Sequence, residues 1–542
     1  MYHTMKTIIN VLLICLITLC LFPQCTSQLE EENINEPIAD TYYNTATGFS
    51  DLINSCYTQT RSQMNGGGLA PMLYGTDLWT SASDVEANEF NTYSPALQAS
   101  NNILYNLWEG YYIGISTCNT AISRAPSVQG LQESELNAKL GEAYFLRAWY
   151  YHILVMHFGD LPMPLEEITE VTTTATRTPQ SQVYEQIIAD LRKAADLLPP
   201  TQSDWGRAAK PAAEALLARV YLTLGRNEEA AAYATKVIDD YNFDLVDDYG
   251  ELWDPNMPTN VETIWAIQFS QNNRLNGPNT SIYLYFTPRY DLQPGMTRSL
   301  IYDRPYPRYM ATRFYLDLMQ ENRENDARYD KSWRDTYLAN YAPTLPPGMN
   351  IGDTAFVILP YAVSDAYKAS KPYKVMDIND YYDGENPIGA LQIYPKLNKW
   401  NDPNRESINA NSGTRSVIEI RLAEMYLIAA EALMKLGRSA EGVTYINRVR
   451  ERAAWPGREM AMRITPDQLD IDFILNERAL ELGGERLRWA DLKRTGKLIE
   501  RVKLYNPAGR DNIREKFLLR PIPSNMIDRL TNKDEFPQNP EF

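Results

Sequence analysis

Apolar side chains recur every three or four positions along much of the chain, and that spacing predicts helices. Phe49, Leu52, Ile53 and Tyr57 mark the first, beginning near Thr47; Gly66-Gly67-Gly68 breaks it. The period returns over 101–124 and over Glu133–Phe158, where Gly159-Asp160-Leu161-Pro162 stops it. Another helix is expected over 181–197, ended by Pro199-Pro200. Residues 213–226 and 423–438 then repeat one pattern: a helix rich in small residues, a Leu-Gly-Arg turn, and a second helix. The glycine lets the chain reverse, and the alanines let two helices approach closely.

Such hairpins resemble tetratricopeptide units, although other helical hairpins share the pattern. The copies differ in phase: Ala230 lies five residues after Gly225, and Ala440 three after Gly437. Two stretches lack the period. Residues 69–97 read as a long loop or irregular hairpin. Residues 241–415 crowd Gly, Pro, Asn, Asp and Tyr, with helical text only near 312–320. An insertion of that length is unusual unless it carries function. The resulting organisation is all-α, with helical repeat text at about 101–240 and 416–500 and a loop-rich region at about 241–415. One domain is expected over 46–542.

The beginning of the chain is an address. Lys6 precedes an apolar run over 8–22, and Pro23-Gln24-Cys25 follows. One cation, an apolar run and then a cysteine form an export signal. The arrangement resembles a bacterial lipoprotein signal, 1–24, with Cys25 acylated as the first mature residue. The box is loose, because Gln24 stands where a small residue is usual. The alternatives are a membrane anchor, for which 15 residues fall short of the ~20 that span a bilayer, and an ordinary secretory signal. Cys20 is a second acceptor. Residues 25–45, with Pro37 and few apolar side chains, read as an extended tether.

Charge and composition narrow the function. The net charge of −17 argues against nucleic acid, because neutralising phosphates needs clustered Lys and Arg. After the signal, Cys56 and Cys118 are the only cysteines besides Cys25, which is no disulfide framework; they either pair or stay as buried thiols. His152 and His157 stand five apart, not at the i, i+4 spacing of a helical metal site. No P-loop, GxGxxG, GxSxG or metal-ligand spacing occurs, so neither a cofactor nor a metal is expected, nor an enzyme. Tyr (36) and Trp (10) outnumber Phe (14), a balance that suits half-apolar, half-hydrogen-bonding surfaces. Tyr also packs between helices.

Several motifs carry a family resemblance. They are Glu142-Ala143-Tyr144-Phe145-Leu146-Arg147-Ala148-Trp149-Tyr150-Tyr151, closing at Gly159-Asp160-Leu161-Pro162, and Arg421-Leu422-Ala423-Glu424-Met425 with Ile446-Asn447-Arg448-Val449-Arg450. Asn476-Glu477-Arg478-Ala479-Leu480-Glu481-Leu482 and Gly484-Glu485-Arg486-Leu487-Arg488-Trp489-Ala490-Asp491-Leu492 follow, then Leu519-Arg520-Pro521-Ile522-Pro523. Together they are similar to SusD/RagB proteins across the mature chain. Asp326-Ala327-Arg328 replaces the frequent Asp-Pro-Arg, and Glu541-Phe542 the frequent Gly-Tyr. The resemblance implies a surface lipoprotein of the outer membrane of Bacteroidetes, with a tetratricopeptide-like helical core and a looped binding face. It also implies a SusC-like TonB-dependent transporter as partner and a glycan as ligand. A peptide ligand, or a scaffold that binds neither, are the alternatives.

A sugar ring has an apolar face for stacking and a fringe of hydroxyls for hydrogen bonds. The loop 77–84 combines both partner types, with Trp79 as platform and Asp77 as acceptor; the competing reading is a tryptophan pinning the loop to the core. Tyr283, Tyr285, Tyr290 and Trp333 are further candidates. Glu477, Glu481, Glu485, Arg478 and Asp491 read as ion pairs between helices, and Trp149 and Trp489 as core. Growth with a radioactive fatty acid is expected to label the chain, and Cys25→Ala to remove the label.

Overall fold

The computed structural model describes residues 39–257, 260–272, 277, 279–389 and 392–542. The expected export segment, Cys25 and most of the expected tether lie outside them. Of that tether, Ala39–Tyr42 form a helical turn instead of extended chain.

Helices build the body: α1 (Ala46–Thr58), α2 (Asn102–Arg124), α3 (Glu133–Phe158), α4 (Gln180–Leu197), α5 (Lys210–Thr223), α6 (Asn227–Asp240), α7 (Arg313–Gln320), α8 (Leu422–Lys435), α9 (Ser439–Arg452), α10 (Ile471–Leu482), α11 (Arg488–Arg494) and α12 (Leu498–Tyr505). Side chains close several N-termini. Thr45 accepts from the Gly48 amide, Asn101 from those of Ile103 and Leu104, and Asp470 from that of Phe473. From α2 to α6 each helix packs on the next; α6 packs on α8, and α8 on α9. The two repeat copies thus stack directly, although the loop-rich region separates them in sequence.

Their turns are the same device. Gly225 and Gly437 take φ of +69° and +74°. The Arg226 amide donates to the Tyr221 carbonyl at 2.9 Å, and the Arg438 amide to that of Leu433 at 2.8 Å. Gly225 N–H reaches Leu222 and Gly437 N–H reaches Met434. This is the Schellman arrangement, which satisfies the last carbonyls and needs a residue tolerant of positive φ. Gly496 repeats it after α11.

The loop-rich region is closed at its base. Strands β1 (Trp79–Ser81), β2 (Thr263–Ile267), β3 (Tyr309–Ala311) and β4 (Val417–Arg421) form two antiparallel pairs, β1 with β3 and β2 with β4. The second pair joins the region's beginning to its end. Within it, Thr336–Leu338, Thr354–Ile358 and Lys374–Met376 make a small three-stranded sheet. The stretch 69–97 is no hairpin; its strand pairs with β3, far along the chain. Cys56 and Cys118 are buried free thiols. His152 and His157 are buried as well.

A buried ion network locks these parts together. Glu481 meets Arg421 at 2.7 Å, Arg328 at 3.3 Å, and Arg452. Glu477 meets Arg328 at 2.6 Å and Arg450. Glu485 meets Arg421 and Lys399, both at 2.8 Å, and Glu262 meets Arg421 and Arg452. Arg478 pairs with Asp491 at 2.7 Å. The charged signature residues are therefore ties between α9, α10, β4 and the loop-rich region, and Trp149 and Trp489 are core. Burial would push the Glu481 carboxyl up, but Arg452, Arg421 and Arg328 outweigh it and hold it down to about 2. Glu481→Gln leaves three arginines short of a charge. It is expected to lower stability by about 3–5 kcal/mol, read as the shift of the denaturant midpoint.

Candidate ligand-binding face

The structure puts the first-choice residues inside. Trp79 is 1 % exposed and packs edge-on against Phe286 and Tyr315, at ring distances of 4.9 and 5.5 Å. Trp333 stacks on the same indole at 6.1 Å. Asp77 is buried beneath the loop, gripped by Arg488 at 2.6 and 2.8 Å and by Arg501 at 3.0 Å. Burial alone would raise its carboxyl, and the two guanidiniums reverse that. Trp79 is therefore no platform and Asp77 no free acceptor. The alternative, a tryptophan holding the loop to the core, is what the structure contains.

The tyrosines fare similarly. Tyr283 is buried under Arg405 and donates to the Ala410 carbonyl. Tyr290 is buried, stacks on Tyr337 and donates to the Asp303 carbonyl at 2.7 Å. Tyr285 lies buried beneath the Arg308 guanidinium at 4.1 Å. Trp333 is buried too. None of the six has a free face. The structure joins Trp79 to Trp333, and it joins Asp84, at the end of the loop, to Arg308 at 2.7 Å and so to Tyr285.

Of the ten tryptophans, eight are buried; Trp205 and Trp455 are not. Trp205 stands on the loop between α4 and α5, which is held from several sides. The Trp265 indole donates to the Gly206 carbonyl at 3.0 Å. The Tyr57 hydroxyl accepts from the Ala208 amide at 2.9 Å and donates to Glu142 at 2.6 Å. Arg207 reaches the same carboxylate at 2.8 Å. Gly206 has φ of +90°, and a Cβ there would meet the Gln268 side chain at 2.3 Å. The loop is pinned before any ligand arrives, so little ordering entropy is lost on binding.

Two open clefts meet at Trp205. One, of about 700 Å³, has Asn54, Arg61, Asp204 and Gln268 among its lining. The other, of about 440 Å³, has Asn256, Gln271, Asn404 and Arg415. The Arg415 guanidinium donates to the carbonyls of Asn401 and Leu252, at 3.1 and 3.3 Å. Burial lowers it to about 10, against the pull of Asp402.

A second aromatic edge is exposed in the loop-rich region. Tyr306 is 37 % exposed, and Arg308 sits 5.4 Å from its ring. Arg308 also bonds Glu86 and donates to the Gly66 carbonyl at 2.6 Å. The two clefts thus offer an indole with a fringe of amides and guanidiniums. The sequence signal for Trp205 is the one applied to Trp79: an aromatic flanked by Asp204 and Gly206 in non-helical text.

The comparisons agree with this architecture. Residues 261–542 match the SusD family, and residues 31–222 match a family described as starch-binding, associating with the outer membrane. The chain belongs to the SusD family. A SusD-like protein P2 from Formosa agariphila is 27 % identical over 562 residues, which covers 95 % of this chain and 96 % of that protein. A SusD-like protein from Bacteroides ovatus is 24 % identical over 505 residues, 89 % of this chain and 81 % of its own. Among solved structures, a laminarin-binding SusD-like protein shares the fold with a TM-score of 0.71 at 23 % identity, over 92 % of this chain and 100 % of that one. Surface glycan-binding protein A from Bacteroides fluxus does so at 0.67 and 20 %, over 92 % and 99 %.

In this SusD-family chain the two tryptophans are expected to separate cleanly. Trp79→Ala opens the core and should cost about 3–5 kcal/mol. Trp205→Ala should stay within about 1 kcal/mol. Thermal melting of the two variants checks this.

Proposed function

We propose that this chain captures an oligo- or polysaccharide at the cell surface, anchored in the outer membrane through lipid on Cys25, and delivers it to a SusC-like TonB-dependent transporter. The observation that carries the reading is Trp205, a partly exposed indole on a pinned loop between two polar clefts. Its ring suits the C–H face of a sugar. Asn54 and Gln268 on one side, and Asn256, Gln271 and Asn404 on the other, suit the hydroxyls. Solved family members whose names state laminarin binding or glycan binding support the ligand class.

Capture needs no proton relay. His152 and His157 are buried, and burial holds both rings neutral. Among the described residues no cluster of His, Cys, Asp and Glu could hold a metal ion. The proposed role is binding, with no catalytic residue assigned.

Calorimetric titration of the purified chain with a panel of laminari-, malto- and xylo-oligosaccharides tests the reading. Binding is expected from at least one series, and Trp205→Ala should weaken it at least roughly tenfold. Unchanged affinity in that variant removes Trp205 from the site. Binding of peptides with no response to any glycan overturns the ligand class.

A further inference from the structure

A cavity of about 440 Å³ opens between α3, α4, α5, α8 and α11, and it shares no residue with the clefts at Trp205. Its walls are mainly apolar: Met72, Ile153, Met156, Leu222, Ile428 and Leu487. The exposed Gln180 and Ser181 stand at its rim. A space of this size, apolar over most of its wall and crossed by charged side chains, fits a small organic ligand.

The charges around it are unevenly matched. Each carboxylate of the lining has a cation. Glu419 holds Arg486, and Glu424 holds Arg219 at 2.7 Å. Asp491 holds Arg478 and Arg494 at 2.7 and 2.8 Å, and Glu485 holds Arg421. Lys493 is different: among the described residues no carboxylate lies within ion-pair distance of its ammonium. Its Nζ donates to the Met156 carbonyl and sits 5.3 Å from the Trp489 ring. The same ring also contacts the cation Arg520 and the neutral His157. Among the described residues, nitrogens of three lining residues also lack a hydrogen-bond partner: His152 Nδ1, Arg478 Nη1 and Arg486 Nε. A buried donor without an acceptor is costly, and a cation on an apolar wall more so.

We propose that this cavity is a second binding site, for a small monocarboxylic acid whose apolar body fills the space and whose carboxylate pairs with Lys493. The site is separate from glycan capture and stands whether or not that reading holds. It would let the helical scaffold sense or carry an amphipathic acid while the looped face is occupied.

The charge of Lys493 sets a pH dependence. Burial, with Arg520 adding repulsion, lowers its ammonium to about 7 in the empty site. Arg494 and Asp491 on its own helix are paired to each other, and His152 stays neutral, lowered by burial to about 3. Lys493 is therefore the group that titrates at the cavity near neutrality. Below that value it is charged and ready for a carboxylate. Above it a proton must be taken up with the ligand, so affinity falls as pH rises.

The test is calorimetric titration of the full mature chain with decanoate and with the uncharged decan-1-ol. Decanoate should bind, and more weakly by about tenfold at pH 9 than at pH 6. Lys493→Met should weaken decanoate at least roughly tenfold and leave decan-1-ol unchanged. Lys493→Arg keeps the charge at every pH, so it should bind decanoate with no fall up to pH 9. Should the methionine variant fail to fold, the arginine variant's pH profile decides. No decanoate binding to the native chain, equal binding in Lys493→Met, or a pH fall that persists in Lys493→Arg overturns the proposal. Loss of oligosaccharide binding in the Trp205→Ala chain with decanoate affinity intact is expected, since the two sites share no residue.

Discussion

The structure depends on the charges enclosed around Glu481. Three arginines from three places converge on this one carboxylate: Arg452 from α9, Arg421 from the end of β4 and Arg328 from the loop-rich region. A buried ion pair adds little over an apolar replacement, because taking both charges out of water costs about what their attraction returns. Removing one member is another matter, since it strands a charge in the interior. The network therefore works as a constraint. Glu262, Glu477, Glu481 and Glu485 leave few arrangements in which every guanidinium has a carboxylate. Any slip of α10 against α9 or β4 breaks several pairs together.

That constraint reaches the binding face through the neck of the loop-rich region. Glu262 immediately precedes β2, and Arg421 closes β4. The two are joined by an ion pair at 2.6 Å and by the Leu422 amide donating to the Glu262 carbonyl at 2.9 Å. β2 carries Trp265, whose indole holds Gly206 and with it the Trp205 loop. The path from the enclosed charges to the exposed indole is thus a short series of strand and side-chain bonds. It explains how a connection between two helices can offer a fixed aromatic ring without helical structure of its own.

The helices were legible in the sequence because periodicity and punctuation agree. Glu133–Phe158 begins and ends where the apolar spacing and Gly159 place it, and both Leu-Gly-Arg turns take the conformation their glycine allows. The two repeat copies were visible as text, but their stacking was not, since α6 meets α8 across the whole loop-rich region. Nor could the sequence tell Trp79 from Trp205. An aromatic beside an acid in non-helical text looks the same in either setting. The difference lies in Arg488 and Arg501, more than four hundred residues further on, which turn Asp77 into an internal counter-ion and draw its loop inward.

The abundance of tyrosine has the same origin. Irregular backbone leaves carbonyls without a helix or strand partner, and buried carbonyls need a donor. Here the phenol hydroxyls provide it. Tyr93 donates to Gly75, Tyr74 to Arg308, Tyr290 to Asp303, Tyr283 to Ala410, Tyr381 to Leu359 and Tyr382 to Ala311. Each ring fills core volume while its tip satisfies a backbone carbonyl, in a loop or, at Ala311, at the end of β3. Phenylalanine offers the volume without the donor, which accounts for its minority in a chain with so much non-helical structure. Tyrosine content alone therefore does not mark a binding surface, which is sought among the exposed rings, of which Tyr306 is one.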